Sequence, residues 1–230
     1  MLRKLQYFFR RRGIYIGKWP DHSYRSFDVL QLALDQEWVR QKGSDFTFVQ
    51  VGANDGVSGG DPIFNWVQKY QWKGLLIEPQ HEAFQKLVTN YGDAPQLEFC
   101  NMAVSAEKGN MVLFRNPGED TTASFNLNTV KAQNKNSELE SVVVESNRLS
   151  AILNDFNVKQ IDFLQIDTEG YELEVIKTLD FEIHRPAIIN FEHGHLSRKN
   201  LSEIFRILSE EGYVLHFGGR EHQDSIALLM

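Results

Sequence analysis

The sequence predicts an α/β protein with a doubly wound, mostly parallel sheet that finishes in an antiparallel hairpin. Three observations predict it. After Gly43, strand-like and helix-like runs alternate steadily, the pattern of a parallel sheet with helices on both faces. The strand-like runs are continuously apolar, as strands covered on both sides are. The last two runs, 213–217 and 225–229, are separated only by a short turn containing Gly218, Gly219 and Arg220. A connection that short permits only antiparallel pairing.

The elements follow in order. The chain has 230 residues, enough for one large domain, and its 42% hydrophobic and 12% aromatic content marks a folded protein. Residues 1–42 read as a basic, helical N-terminal extension and 43–230 as the main domain. Within 1–25, seven lysines and arginines stand against Asp21 alone, a balance of +6 that leaves −13 for the rest of a chain of net charge −7. So acidic a body gives no support for nucleic acid as a partner. Leu2, Leu5, Phe8 and Phe9 lie at near-helical spacing among those cations. That fits either a docking helix with a solvated basic face or weak contact with a membrane surface. Residues 27–42 read as one amphipathic helix with Val29, Leu30, Leu32, Leu34, Trp38 and Val39 on its apolar side.

Strands are expected over 46–51, 74–78, 96–100, 161–166, 186–191, 213–217 and 225–229. Helices are expected near 62–71, 81–91, 147–157, 170–179 and 199–211. The stretch 115–137 is polar and irregular between strand-like flanks, which suggests a hairpin inserted before the helix at 147–157. The single cysteine, Cys100, excludes an internal disulfide and a cysteine zinc cage and reads as a small buried hydrophobe. No apolar run approaches a membrane span, and the first residues lack the apolar core of a signal peptide. A cytoplasmic location is expected.

The richest stretch is FTFVQVGANDG, residues 46–56, a strand running into a glycine turn. Glycine at that point lets backbone approach a ligand closely. A second strand, GLLIE, ends in Glu78, 26 positions after Gly52. This is close to the spacing at which an acid meets a ribose hydroxyl pair. Asn54 stands where a dinucleotide fingerprint has its second glycine, which favours a ligand without phosphates. Pro79 opens the next helix and holds Glu78 extended.

Asn101 and Ala103 follow the third strand at the same sheet edge. In IDFLQIDTEGYE, a strand that Asp162 merely begins delivers Asp167 and Glu169 to its carboxyl end. Glu172 then sits in a helix first turn, where acids also suit the helix dipole. The next strand ends in Glu192-His193-Gly194-His195, so Glu192 is expected beside Asp167. His193 is a candidate general base because its unperturbed pKa lies near neutrality. A divalent metal held by the carboxylates and a histidine is the alternative; no tight ligand motif assigns one. His195 reads as a surface or capping histidine.

The chain resembles the FkbM family of S-adenosylmethionine-dependent methyltransferases. VQVGANDG, LLIEPQ, NMAVS, IDFLQIDTEGYELEVIKTL and INFEHGH carry the resemblance over most of residues 46–195, and DxEGxE is the most specific piece. The resemblance implies a Rossmann-like class I methyltransferase fold with S-adenosylmethionine as cofactor and S-adenosylhomocysteine as product. It implies O-methylation of a hydroxyl on a sugar or secondary metabolite, hence a small-molecule or carbohydrate acceptor. The cofactor-binding set is Gly52, Asn54, Asp55, Gly56, Glu78, Pro79, Asn101, Ala103 and Asp167. Within it the glycine turn borders the methionine part, Glu78 meets the ribose, Asn101 sits near adenine and Asp167 lies beneath the methyl group.

Asp167, Glu192 and His193 form the catalytic set. Asp61, Ser124, Phe125 and Glu169 are expected at the acceptor. The insert at 57–62 departs from the commoner family pattern. Two rivals use the same features: a nicotinamide-dependent oxidoreductase, and a non-catalytic cofactor-binding scaffold working through the basic N-terminus. Asn54 and the terminal hairpin argue against the first, and the acids and histidine gathered in one crevice argue against the second.

Overall fold

A computed structural model describes residues 29–58, 61–116, 123–125, 127, 130, 139–217 and 223–230. The basic segment 1–25, most of the polar stretch 115–137 and the turn at 218–220 lie outside the described residues. The elements in chain order are α1 (Val29–Leu34), α2 (Glu37–Lys42), β1 (Thr47–Val51), α3 (Phe64–Tyr70), β2 (Lys73–Ile77) and α4 (His81–Tyr91). Then come β3 (Leu97–Cys100), β4 (Ala103–Val104), β5 (Gly109–Arg115), β6 (Glu140–Asn147) and α5 (Leu149–Asp155). The chain ends with β7 (Phe163–Ile166), α6 (Glu172–Lys177), β8 (Ile188–Glu192), α7 (Arg198–Glu210), β9 (Tyr213–Phe217) and β10 (Asp224–Leu229).

The main sheet has seven strands in the order β3-β2-β1-β7-β8-β10-β9. Its first five strands pair in parallel, and β10 runs antiparallel between β8 and β9. This is the Rossmann-like class I arrangement with its antiparallel finish. A small second sheet, β4-β6-β5, contains the antiparallel β5–β6 pair expected before α5.

Strand side chains alternate between two cores, which explains their unbroken apolar sequence. Val49, Val51, Leu164, Ile166, Ile189 and Phe191 enter one core. Phe48, Leu76, Phe163, Ile188 and Ile226 enter the other. Cys100 lies in the first core, and burial pushes its thiol up to about 11. No helix among the described residues is long and apolar enough to cross a membrane.

One expected element is divided. Residues 27–42 do not form a single helix, because Gln36 is extended (φ −60°, ψ 146°) between α1 and α2. The cause is geometric. At about 100° per residue, a continuous helix points Leu30 and Val39 in roughly opposite directions. Both are buried in the same core, with Leu34, so the chain must break between them. Leu32 and Trp38, expected on the apolar side, are exposed instead.

Asp162 also does more than begin a strand. It is 3% exposed, accepts the Lys42 Nζ bond at 2.5 Å and accepts the Thr47 backbone N–H at 2.9 Å. It thereby clamps α2 and β1 to the start of β7.

Candidate functional site

Where β1 ends, Gly52 and Ala53 donate their backbone N–H groups to the Ile77 carbonyl at 2.9 and 3.1 Å. Gly52 has φ +80°, and a Cβ there would stand 1.8 Å from the Asp167 carbonyl oxygen. Only glycine lets these two strand ends meet so closely. Asn54 follows in the left-handed region at φ +47°, which asparagine tolerates better than most residues. Its N–H donates to Glu78 Oε2 at 2.8 Å, while Glu78 Oε1 accepts the Gln80 N–H at 2.8 Å. The Glu78 carboxylate, 4% exposed, is therefore fixed at the carboxyl end of β2 by two turns at once.

A cleft opens here, with about 640 Å³ of empty space including its solvent-open part. Gly52, Asn54, Glu78, Pro79, Ala103 and Asp167 line it, with apolar surface from Val51, Ile77, Met102 and Val104. Phe125 and Glu169 line its other side. Apolar walls with one fixed carboxylate suit a nucleoside bearing a ribose. Gln80, Ala123 and Thr168 also line the cleft. Gln80 and Thr168 are missed by sequence reasoning, although each adjoins a motif residue, while Ala123 lies in the polar stretch 115–137 beside Ser124.

Other expected site residues take other places. Asp55 accepts from the Val57 and Ser58 N–H groups and so shapes the turn after the cleft. A Cβ on Gly56 would stand 2.7 Å from Leu87 and Tyr91, so this glycine admits α4. Asn101 donates to the Glu78 and Pro79 carbonyls at 2.8 and 3.1 Å, bracing the Glu78 turn from behind. Asp61 accepts from Gln50 Nε2 at 2.6 Å and from the Ile63 and Phe64 N–H groups. Ser124 donates to the Glu169 carbonyl at 2.8 Å, and Phe125 packs on Tyr171 with ring centroids 5.2 Å apart. These last contacts hold 123–125 against the loop after β7.

Of the residues expected to be catalytic, Asp167 and Glu192 meet at the ends of β7 and β8. Carboxyl oxygens of Asp167, Glu172 and Glu192 lie within 4.8 Å of one another. His195, expected at the surface, reaches Glu169 at 3.2 Å and Glu192 at 3.6 Å. His193 instead meets the Ser225 hydroxyl through Nδ1 at 3.0 Å. Glu169 adopts φ +54°, an unfavourable conformation for a residue with a side chain, and strain of this kind concentrates at functional sites.

Burial pushes Asp167 up to about 8, with Glu169, Glu172, Asp224 and Asp61 adding like charge. Burial and then Asp167, Glu169, Glu172 and Asp224 push Glu192 up to about 9. Burial also raises Glu172, against the bonds its carboxylate accepts from Thr168 and Gly170. Asp167 is crowded by protein yet keeps an exposed surface on the cleft. The exposed surface governs, because water in the cleft solvates the carboxylate and moderates the rise. Carboxyls raised in this way hold protons at neutral pH, and perturbation of this kind clusters at functional sites.

Residues 50–215 match a family described as the methyltransferase FkbM domain. No curated protein matches the chain. Among solved structures, the METTL16 MTase domain is 13% identical with a TM-score of 0.48, covering 99% of this chain and 78% of that one. The precorrin-6y C5,15-methyltransferase from Geobacter metallireducens GS-15 is 11% identical with a TM-score of 0.46, covering 93% and 100%. A Methanococcus jannaschii fibrillarin pre-rRNA processing protein is 10% identical with a TM-score of 0.46, covering 81% and 67%.

Proposed function

Since the chain belongs to the FkbM methyltransferase family, we propose that it moves a methyl group from S-adenosylmethionine to a hydroxyl oxygen of a small-molecule or carbohydrate acceptor. The observation that supports this most is the convergence of Gly52, Glu78 and Asp167 on one cleft at the carboxyl ends of β1, β2 and β7. When bound, S-adenosylmethionine supplies an electrophilic methyl group, whose bond to sulfur breaks as its bond to the acceptor oxygen forms.

The residues divide the remaining work. Gly52 and Asn54 border the methionine part, and Glu78, already oriented by Asn54 and Gln80, accepts ribose hydroxyls. Pro79 and Ala103 flank the base beside the apolar wall. Asn101 positions Glu78 through its two carbonyl contacts rather than touching adenine. Asp167 would sit beneath the transferred methyl group. His193 or Asp167 accepts the acceptor's hydroxyl proton, with Glu192 orienting the pair. Ser124 and Phe125 shape the acceptor side with Glu169, and Asp61 supports that side through Gln50.

Calorimetric titration with S-adenosylhomocysteine tests the cofactor part. Wild-type protein is expected to bind, and Glu78→Gln to bind roughly tenfold more weakly, about 1.4 kcal/mol, through loss of charge-assisted hydrogen bonds. Equal affinity in both proteins would remove Glu78 from the ribose site. Absence of binding in the wild type would remove S-adenosylmethionine from the reading.

A further inference from the structure

Methyl transfer leaves part of the acidic edge unexplained. Asp167, Glu172 and Glu192 bring oxygens within 4.8 Å of one another, and Glu192 is shared with a second cluster formed with Glu169 and His195. Register adds one more carboxylate, since Asp224 pairs with Glu192 across β8 and β10. Among the described residues, no lysine or arginine forms an ion pair with Asp167, Glu172 or Glu192.

Acidic clusters occur without ions, but this one contains buried oxygens that lack a donor. Glu172 is fully buried; its Oε1 accepts from the Thr168 N–H, the Thr168 hydroxyl and the Gly170 N–H, whereas its Oε2 has no hydrogen-bond partner. Glu192, 9% exposed, has an unpartnered Oε2 as well. Two residues back along β8, on the same strand face, Asn190 is 1% exposed and its Oδ1 is also unpartnered. Asn190 spends its Nδ2 on Gln165 at 2.9 Å, so its Oδ1 still lacks a donor or cation. Buried oxygens in this state are costly unless a donor or a cation satisfies them, and for carboxylates crowded together a cation also removes the like-charge repulsion.

The geometry narrows what that partner is. An oxygen-only donor set selects the hard divalent cations over the thiolate- and imidazole-seeking metals. Opposite ligand oxygens stand roughly 4.6–5.2 Å apart around calcium and about 4.0–4.2 Å apart around magnesium, from their usual bond lengths. Oxygens that all lie within 4.8 Å of one another are close enough to share one such ion. We propose that Asp167, Glu172 and Glu192 bind one hard divalent cation at the edge of the cleft, with Glu169 and His195 at its rim. A further role for this ion, binding the acceptor hydroxyl next to the methyl donor, rests on the methyltransferase reading; cation binding itself does not.

The test is titration of the metal-free full-length chain with Mn²⁺, following loss of the free-ion paramagnetic resonance signal. One equivalent is expected to bind, Mg²⁺ or Ca²⁺ to displace it, and Glu192→Gln and Asp167→Asn each to weaken it at least tenfold. These two positions are chosen because Glu172 also holds its loop through Oε1, so replacing it risks the fold. Mn²⁺ remaining free in the wild type, or binding equally well to both variants, overturns the proposal and leaves shared protons to satisfy the buried oxygens. S-adenosylhomocysteine titrated into the same metal-free wild type reads the cofactor site separately, so either result can fail while the other stands.

Discussion

Burial and neighbouring carboxylates disfavour charge on Glu192 and push it up to about 9, and they raise Asp167 as well, where water in the cleft moderates the rise. The linkage has a definite sign. An acid whose folded pKa exceeds its unfolded value contributes stability below the unfolded value and loses it as pH rises through the folded one. For Glu192 the loss runs from near 4.5 up to about 9. The melting temperature of the metal-free protein is therefore expected to fall between about pH 5 and pH 9, and to fall less in Glu192→Gln, which cannot ionise. Thermal melts across that range check it; parallel curves for the two proteins would show that Glu192 ionises without penalty. Glu78 and Asp167 were legible in sequence because each ends an apolar strand. His195 was not, because its meeting with Glu169 depends on how two loops fold together, which their separation along the chain does not reveal.

Among the elements, the join between β1 and β7 is the most exacting. The Asp167 carbonyl occupies the space a Gly52 side chain needs, and it is backbone, so it cannot swing aside. Gly52→Ala is expected to destabilise the protein by about 2–4 kcal/mol, from left-handed strain plus displacement of the β7 loop. Denaturant unfolding measures this, and a midpoint unchanged from wild type would show that the loop moves freely. Most element positions were legible because a period of hydrophobicity is local, and observed strands begin or end within two residues of the expected ones. The break at Gln36 was not legible. Its cause is that Leu30 and Val39 must enter one core, and only the packed structure reveals which surface each residue meets.

At the scale of the whole molecule, α1 and α2 share a core with the sheet: Leu30, Ala33, Leu34 and Val39 cluster with Phe46, Phe48 and Trp72. The Lys42–Asp162 pair fastens the same region to β7. Leu34→Ala is accordingly expected to cost about 2–5 kcal/mol while unfolding stays a single transition. Calorimetry would reveal two transitions, or an unchanged midpoint, if residues 29–42 were merely appended to the sheet. The sequence by itself determined the kind and order of the elements, the antiparallel finish and the family, because strand periodicity, turn residues and motif spacing are all local properties. Only the tertiary structure decided which acids meet. Strand order β1-β7-β8-β10 sets Gly52, Asp167, Glu192 and Asp224 along one edge, although they come from distant parts of the chain. Their shared burial, raised pKa values and unpartnered oxygens arise from that neighbourhood, since charge and desolvation act through space.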